Sequence, residues 1–443
     1  MPPPTGSALG CCLSTSYGLL NAFRLGYRHL SSNYYKKQGM LVSIQYGKDL
    51  GKMISIIDNP SLAETGRQRM RWFMEQMPLI ASLKETYRKE QPFRGLKVAI
   101  CLHVEPKTAF WIDAILTGGA EHIYLVGCLG TTKPDTAAYL ASDPRITVLA
   151  KEKDTLEDHQ RYLEMVMEQR PNLLLDNGAS LILAYHKKQR DWVPLGANEE
   201  TRTGRLLIDD SGYEIRFPVI VIDDSPLKKL LENAVGVGQS VVDGFMRCTS
   251  LLLGGKRILV IGYGWCGSGI AGKFRAMGAH TSVYDTDPVY LLKAKVDGHH
   301  VSEDLNELIA QAEVIVTSTG RFHVITKEHI PFFSDGLLLS NAGHFGFEID
   351  TGDLRTAADR VEAVGAGKEA LWFGQKKVFL LENANPLNLS AGDGNPIPIM
   401  DLGLGLQASC GVLLASGKHN LHNGVQPTPQ EIDSFVSRQM LNL

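Results

Sequence analysis

The sequence predicts an α/β protein with two domains, and three features of the 443-residue chain support this. The chain is longer than one ordinary core requires, since domains commonly contain about 100–200 residues. Apolar runs of strand length alternate with helical patterns in two separate blocks. A glycine-rich turn follows the first apolar run of the second block. We therefore expect a parallel sheet in each domain.

The first block follows a helix-forming stretch that starts near Glu64 and is interrupted by Pro78. The apolar runs KVAICLHV and EHIYLVGCL have strand length, and TAFWIDAILTGG between them has helical spacing. The alternation continues through ITVLAKE, LEDHQRYLEMVMEQR and NLLLDNG. These segments predict a parallel α/β domain. The first sixty or so residues have weak periodicity and predict no element.

The second block consists of GGKRILVIGYG, HTSVYDTDP, AEVIVTSTG and GLLLSNAGHFG. Each contains an apolar run of strand length that ends in small or polar residues. This pattern predicts a second α/β domain from about residue 236 to 392.

Composition and charge exclude several functional classes. Lys and Arg number 45 against 48 Asp and Glu, without a long basic run, so a nucleic-acid partner is not expected. The seven cysteines are scattered and form no CxxC pair, which argues against a disulfide framework and a metal site. A reducing cytoplasm fits this pattern. We find no signal sequence, and no apolar stretch that reaches the ~18 residues of a membrane span, so no membrane partner is expected.

The glycine-rich turn has the spacing of a dinucleotide-binding motif. Gly262, Gly264 and Gly267 form GxGxxG between the apolar run RILVIG and a helix-compatible segment, and the motif also contains Trp265 and Cys266. These glycines permit a tight turn, close approach of a pyrophosphate and close helix–strand packing. Asp285 ends the next predicted strand, where a carboxylate can bind a ribose 2'-hydroxyl and would repel a 2'-phosphate. The sequence therefore predicts NAD rather than NADP.

Several stretches together resemble the S-adenosylhomocysteine hydrolases. They are CLHVEPKTA, LLLDNGASL, NEETRTG, FPVIVIDDSPLKKLLENAVGVGQSVVDG, the glycine motif, VTSTG and NAGHFGFEID, in that order. The resemblance extends from about residue 66 to 440. It implies a Rossmann-type NAD-binding domain, residues 236–392, inserted in an α/β substrate domain formed by residues 1–235 and 393–443. It further implies a homo-oligomer, a tetramer or a dimer.

The resemblance also implies a reaction without net redox change. In this family NAD oxidises the 3'-hydroxyl of a bound nucleoside, and the ketone acidifies the C4' hydrogen. A base removes that proton, the 5' substituent leaves by β-elimination, water adds, and the hydride returns. Such a cofactor is carried through many turnovers.

Residues of this chain match the family's site at many positions. Lys228 matches the lysine that helps to take the 3'-hydroxyl proton, and we expect the nearby NAD⁺ charge to lower its pKa. Glu200 matches a carboxylate that binds the ribose hydroxyls. The other catalytic candidates are Glu232, His103 and His344. The cofactor candidates, besides the glycine motif and Asp285, are Thr201, Thr203, Asn233, Thr317, Ser318, Thr319, Gly343 and Asn388.

The part of the site that serves elimination departs from the family. Asn177 stands where the family has a second carboxylate, and an amide cannot exchange a proton near neutral pH. Asn395 replaces a histidine that precedes a proline. His103 is therefore the best candidate for acid–base work near C4' and C5'. Glu232 replaces an aspartate. Near the adenine edge, Glu105 and Lys107 replace family residues beside Thr108, and we assign Asn177, Asn395 and these three to substrate binding.

Three functional hypotheses follow. The first is an NAD-dependent enzyme that expels water or another 5' group from a nucleoside by 3'-oxidation and β-elimination. The second is hydrolysis of S-adenosylhomocysteine to adenosine and homocysteine. The third is a non-catalytic, NAD-binding regulator. The altered elimination residues favour the first over the second, and intact Lys228 and Glu200 argue against the third. The family's tail, which brings a lysine and a tyrosine to the neighbouring subunit's NAD, has no match here, so looser cofactor binding is expected.

Overall fold

Two largely parallel β-sheets organise the chain in the computed structural model, which describes residues 53–344 and 346–443. Most of the weakly periodic N-terminal stretch therefore lies outside the described residues. The strands are β1 Lys97–Leu102, β2 His122–Gly127, β3 Ile146–Leu149, β4 Leu173–Asp176, β5 Gly196–Glu199, β6 Pro218–Val221, β7 Arg257–Ile261, β8 His280–Tyr284, β9 His300–Val301, β10 Val314–Thr317, β11 Leu338–Asn341, β12 Arg360–Gly365, β13 Lys368–Phe373, β14 Lys376–Leu381 and β15 Gly424–Pro427.

Helices connect most of these strands. The α-helices are α1 Ala63–Glu75, α2 Pro78–Glu90, α3 Pro106–Thr117, α4 Pro134–Ala141, α5 Leu156–Met167, α6 Ser180–His186, α7 Arg202–Asp210, α8 Val237–Thr249, α9 Trp265–Ala276, α10 Pro288–Val296, α11 Leu305–Gln311, α12 Thr351–Ala357, α13 Leu387–Ser390, α14 Ile397–Ser416 and α15 Gln430–Leu441. A π-helix, Lys228–Gly236, precedes α8, and short 3₁₀ segments are Pro60–Leu62, Ile222–Asp224, Lys327–Phe332 and Glu382–Ala384.

The first sheet has the order β15-β6-β5-β4-β1-β2-β3, and all its strand pairs are parallel. Strand β15 comes from the C-terminal part of the chain and pairs with β6, with Val425 opposite Val219. The chain thus leaves this sheet after β6 and returns to it after the second sheet is complete. The predicted insertion of one α/β unit into another is confirmed, while the boundaries at residues 235 and 392 stay predictions.

The second sheet has the order β12-β13-β14-β11-β10-β7-β8-β9. Its parallel part, β9-β8-β7-β10-β11-β14, has the strand order of Rossmann-type sheets, with the switch point between β7 and β10. Strands β12 and β13 add an antiparallel edge to β14. This meander was not predicted from the sequence, because β12 is exposed along its whole length and β13 and β14 contain only short apolar runs.

The central helix of the first core is α14. It packs against α2, α3, α15 and the strands β4 and β5. The expectation that no apolar stretch has the length of a membrane span is wrong for α14, which has 20 residues and a mean hydropathy of 1.5. Length and composition alone are weak evidence for a span, because a buried core helix has the same properties, and 61% of the apolar window in α14 is buried.

A buried carboxylate fixes α14 to the start of α2. Asp401 is inaccessible to solvent, and its two oxygens accept hydrogen bonds from the amides of Leu79 and Ile80 at 2.8 and 2.9 Å. These amides belong to the first turn of α2, where backbone donors have no partner within the helix. Asp401 therefore caps a helix from a distant part of the sequence.

We predict that Asp401→Ala lowers the free energy of unfolding by about 1–3 kcal/mol, because two buried amides lose their acceptor. Asp401→Asn keeps one acceptor oxygen and should cost less. Chemical denaturation of both variants measures the difference, with Asp191→Ala at an exposed position as the control. Equal stability of Asp401→Ala and the wild type would contradict the capping role.

Candidate active site between the two sheets

The predicted site residues lie at the carboxyl ends of parallel strands. His103 follows β1, Asn177 follows β4 and Glu200 follows β5 in the first sheet. In the second sheet the glycine turn follows β7 and Asp285 follows β8. Open α/β sheets bind their ligands at this edge, because the loops that leave the strands meet there.

Lys228 forms the charged centre of the site. Its Nζ donates to Glu200 Oε1 at 2.8 Å and to Glu232 Oε1 at 2.6 Å, and all three side chains are buried. The π-helix places Lys228 and Glu232 on one side, facing the end of β5. Burial alone would lower the pKa of Lys228, but the two carboxylates raise it above its usual range. The protein's own groups therefore favour the ammonium form of Lys228, while the expected lowering of its pKa by nearby NAD⁺ stays a prediction.

Three buried oxygens, on the two carboxylates that bind Lys228 and on Asn177, accept no hydrogen bond from any residue that the structure describes. They are Glu200 Oε2, Glu232 Oε2 and Asn177 Oδ1. A buried acceptor without a donor costs about 1–3 kcal/mol. Burial raises the pKa of Glu232 to about 7, although Lys228 opposes the shift. The arrangement therefore suits a ligand that brings several hydroxyl donors into the same small space.

The tautomer of His103 follows from its neighbour Thr131. The Thr131 hydroxyl donates to the carbonyl oxygen of Cys128 at 2.9 Å, so its oxygen accepts a hydrogen bond from His103 Nδ1 at 2.9 Å. Nε2 then carries the lone pair. Desolvation, followed by the charges of Lys228 and Lys107, lowers the pKa of His103 to about 4. The neutral ring is therefore a proton acceptor through Nε2. The sequence analysis missed Thr131, whose only signal was a threonine after the neighbouring strand.

His344 lies beside His103, with the two ring centroids 5.5 Å apart and the planes inclined by 59°. His344 belongs to the loop after β11 of the second sheet, whereas His103 follows β1 of the first. Desolvation, with the charge of His103 as the next contribution, lowers the pKa of His344 to about 3. Two neutral imidazoles, one from each sheet, therefore meet in the site.

Two buried acids that the sequence analysis did not select hold the loops of the first sheet in place. Glu199 accepts hydrogen bonds from the amides of Gly178, Ala179 and Thr201 at 2.8–2.9 Å. Asp176 accepts from the amides of Asn177 and Ile182 at 3.0 and 2.9 Å. Each acid is the last residue of its strand and directly precedes a predicted site residue. This position was the signal in the sequence by which it could have been found. They fix the backbone that presents Asn177 and Glu200.

Three of the predicted substrate-binding residues bond to one another. Glu105 caps α3 by accepting from the amides of Lys107 and Thr108, and its carboxylate lies 2.8 Å from Lys107 Nζ. The Lys107 ammonium also donates to the carbonyl oxygen of Asp393. Asn395 does not join this group, and its Oδ1 accepts a hydrogen bond from Ser240 Oγ at 2.8 Å. Their assignment to substrate binding stays a prediction.

The glycine turn fits a dinucleotide. A Cβ at Gly267 would lie 1.9 Å from the carbonyl oxygen of Gly262, so helix α9 can begin against the end of β7 only with glycine there. At Gly264 a Cβ would meet no atom within 4 Å, which leaves the backbone open to a ligand. Asp285 Oδ2 accepts from the Tyr263 amide at 2.7 Å, so the acidic residue lies directly against the turn.

Comparisons with known proteins agree with this geometry. Residues 233–394 match a family model described as the NAD-binding domain of S-adenosyl-L-homocysteine hydrolase. An S-inosyl-L-homocysteine hydrolase of Methanosarcina acetivorans is 36% identical over 385 residues, 86% of this chain and 93% of the relative. An adenosylhomocysteinase of Thermosynechococcus vestitus is 34% identical over 386 residues, 86% of this chain and 90% of the relative. The chain belongs to the S-adenosylhomocysteine hydrolase family. It is an enzyme of the NAD-dependent type, and NAD is its cofactor.

For this family member, the remaining cofactor candidates lie on loops of both sheets. Thr201 caps α7, and a Cβ at Gly320 would lie 3.2 Å from Thr203 Oγ1, which brings α7 close to the loop after β10. Glu348 holds that loop by accepting from the Thr319 and Gly320 amides. Asn233 donates to Asp223 at 2.8 Å. Thr317 Oγ1 and the Gly343 amide both donate to Asn341 Oδ1, and Asn388 Nδ2 donates to Ser240 Oγ.

The loops with these candidates would hold the nicotinamide half of NAD. The glycine turn, Trp265 and Cys266 at the start of α9, and Asp285 would hold the adenosine half and the pyrophosphate. Ser318, between Thr317 and Thr319, would contact the cofactor through its backbone, because its carbonyl faces Gly262. The individual contacts of these residues with NAD stay predictions.

We predict that Asp285→Ala weakens NAD binding by about 1.5–3 kcal/mol, because a charged acceptor of the ribose diol is lost. The gap between NAD and NADP affinity should narrow, since the carboxylate no longer repels a 2'-phosphate. Titration of the apoenzyme with each cofactor measures both effects. Asp287→Ala, which removes a neighbouring acid at the cap of α10, is the matched control. An unchanged NAD to NADP ratio in Asp285→Ala would contradict the assignment.

Proposed function

We propose that this protein cleaves a nucleoside that carries a thioether at its 5' carbon, through transient oxidation at C3' and β-elimination. The observation that carries this proposal is the set of three unpaired, buried oxygens on Asn177 and on the two carboxylates that bind the Lys228 ammonium. A ribose offers hydroxyl donors on adjacent carbons, which matches these acceptors in chemistry. The names of the relatives, which refer to inosyl and adenosyl derivatives of homocysteine, support a nucleoside substrate.

In the oxidation half, bound NAD supplies a hydride acceptor at C3'. Glu200 Oε2 binds a ribose hydroxyl and orients the diol. Lys228 cannot accept a proton while it is an ammonium ion, so it must release one before or as it receives the 3'-hydroxyl proton. Glu232, bonded to Lys228 and with a pKa of about 7, is the group matched to take it. Lys228 therefore relays the proton, and Glu232 stores it.

In the elimination half, His103 takes the C4' proton. Its Nε2 is unprotonated, and the bond from Nδ1 to Thr131 holds the ring in that tautomer. A carbonyl at C3' acidifies C4', so a neutral imidazole is a strong enough base for an enolate-forming step. Lys228, close to the same carbon, can stabilise the developing oxyanion by its positive charge.

The leaving group follows from what the site lacks on this side. Asn177 cannot donate a catalytic proton, and His103 keeps the proton that it takes from C4' for the later return to that carbon. A hydroxide ion needs a proton to depart, whereas a thiolate is stable enough to leave without one. These residues therefore favour a thioether substrate over loss of water, whereas from the sequence alone their departure from the family favoured another leaving group over S-adenosylhomocysteine hydrolysis. Water then adds at C5' while the His103 imidazolium returns its proton to C4', and the proton that water loses passes to the released thiolate. Return of the hydride to C3', with the proton stored on Glu232 passing back through Lys228 to the 3'-oxygen, would leave no net redox change.

We predict that NAD reduction by substrate in a single turnover depends on the ionisation of Glu232. Because the carboxylate must accept a proton, the rate should fall about tenfold per pH unit below a pKa of about 7. Glu232→Gln should reduce the rate and abolish this dependence. Stopped-flow absorbance of the reduced nicotinamide measures it, with NAD affinity across the same pH range as the control. An unchanged pH profile in Glu232→Gln would remove Glu232 from the relay.

We further predict that Lys228 and His103 variants fail at different steps. Lys228→Ala should prevent NAD reduction, because the 3'-hydroxyl proton has no acceptor. His103→Ala should still reduce NAD but slow release of the 5' group by about 10²–10⁴-fold, the usual contribution of a general base. Single-turnover absorbance and thiol release, with S-inosyl-L-homocysteine and S-adenosyl-L-homocysteine as substrates, separate the two steps.

Three outcomes would oppose the proposal. Normal turnover by both variants would exclude the two roles. If the enzyme removed water from a 5'-hydroxyl nucleoside and released no thiol from either thioether, the leaving group would be water and not a thiolate. A wild-type enzyme that reduces NAD with no nucleoside would favour a regulatory, non-catalytic protein.

A further inference from the structure

The segment Leu389–Asp393 is where the chain returns from the second sheet to the first. It overlaps the end of α13 and precedes α14, and it lies outside every strand. The backbone hydrogen bonds in this region are local: the Leu389 and Ser390 amides donate to the Pro386 carbonyl, the Ala391 amide donates to the Leu387 carbonyl and the Gly394 amide donates to the Asn388 carbonyl. A crossing segment of this kind needs contacts from elsewhere in the molecule to take one fixed position.

Three cationic side chains from the first sheet's side supply those contacts. Lys133 Nζ donates to the carbonyl oxygens of Leu389 and Gly392, both at 3.0 Å. Lys107 Nζ donates to the carbonyl oxygen of Asp393, and an Arg69 Nη2 donates to the Asp393 carboxylate. The three cations belong to α1, to α3 and to the residue that precedes α4. One short segment is therefore held from three separate elements.

The charges around the segment balance. Lys107 pairs with Glu105 at 2.8 Å, and Arg69 pairs with Asp135 at 3.3 Å as well as with Asp393. Three cations face three carboxylates, so the cluster has no excess charge that would call for an anionic ligand. What remains for the cations is to donate hydrogen bonds to backbone carbonyl oxygens of the segment, which accept none from a backbone amide among the described residues.

Two asparagines that flank the segment form a chain of contacts to the charged centre. Asn388 Nδ2 donates to Ser240 Oγ at 3.2 Å, and Ser240 Oγ donates to Asn395 Oδ1 at 2.8 Å. Asn395 Nδ2 lies 3.5 Å from Glu232 Oε1, the oxygen that also binds Lys228. A shift of Leu389–Asp393 would therefore move Asn388 and Asn395 relative to Glu232.

We propose that Arg69, Lys107 and Lys133 form a cationic clamp on Leu389–Asp393 that positions Asn395, and through it Glu232, for the oxidation step. The three residues are positioning residues, because they act through the segment. Lys133 is the cleanest to test, since both of its bonds reach the segment's backbone and it has no role in the site described above.

The first test needs no substrate. Lys133→Met removes two hydrogen bonds to the segment, so hydrogen exchange at the Ala391 and Gly394 amides should become about 10-fold faster in the NAD-bound enzyme. Exchange mass spectrometry of the peptide that spans residues 386–400 measures this. Lys188→Met, which removes an exposed ion pair with Glu164, is the matched control and should leave the peptide unchanged. Unchanged exchange in Lys133→Met, or an increase spread over the whole chain, would overturn the clamp.

The second test rests on the proposed function and asks whether the clamp acts through Asn395. Lys133→Met should slow single-turnover NAD reduction at saturating substrate by up to about 100-fold, as small displacements from a reacting centre do. Lys133→Arg, which keeps donors for both carbonyls, should restore most of the rate. If the clamp acts through Asn395, the double variant Lys133→Met/Asn395→Ala should be no slower than Asn395→Ala alone.

Additive slowing in the double variant would overturn the positioning role, as would an unchanged rate in Lys133→Met. A wild-type enzyme that reduces NAD with neither thioether would be a failure of the proposed function. The exchange experiment would then still decide whether the clamp exists.

Discussion

The buried contact of Lys228 with Glu200 and Glu232 is the interaction on which the rest of the site depends. A charge removed from water is tolerated only with close partners, and loss of one partner typically costs about 3–5 kcal/mol. Glu200 ends a strand of the first sheet, while Lys228 and Glu232 begin the helix that leads to the second. The ion cluster therefore lies where the chain passes from the first sheet to the second, and it is also the centre of the candidate active site. The two carboxylates raise the pKa of Lys228, and in the proposed mechanism Glu232 therefore stores the proton.

Buried carboxylates that bind backbone amides recur around this centre. Glu199 and Asp176 hold the loops after β4 and β5, and Glu348 holds the loop after β10, while the half-buried Asp285 binds the glycine turn in the same way. Each carboxylate accepts hydrogen bonds from backbone amides that lie beyond the end of a strand and so have no partner in the sheet. Such contacts give the loops one conformation without a ligand. These carboxylates thus fix the loop backbones of the site, and the adjacent residues can face the substrate.

The sequence and the structure assign different partners to some of the same residues. Lys107 and Glu105 differ from the family at the expected adenine edge, which suggested contacts with the substrate. In the folded chain they pair with each other, and Lys107 also reaches the Asp393 carbonyl, far away in sequence. Asn395, itself a departure from the family, lies just after the segment that receives this contact. Two changes that are unrelated in the sequence therefore belong to one cluster of contacts.

The sequence by itself determined the alternation of strands and helices, the glycine turn with Asp285, and the positions of Glu200, Lys228 and His103. These features are visible because they depend on local periodicity and on short motifs. The antiparallel meander β12–β14, the tautomer of His103 and the ionisation of Lys228 were decided only by the tertiary structure. Thr131 lies 28 residues from His103, and Glu200 lies 28 residues from Lys228. A protonation state depends on burial and on the charges within a few ångströms, and folding alone brings those groups together.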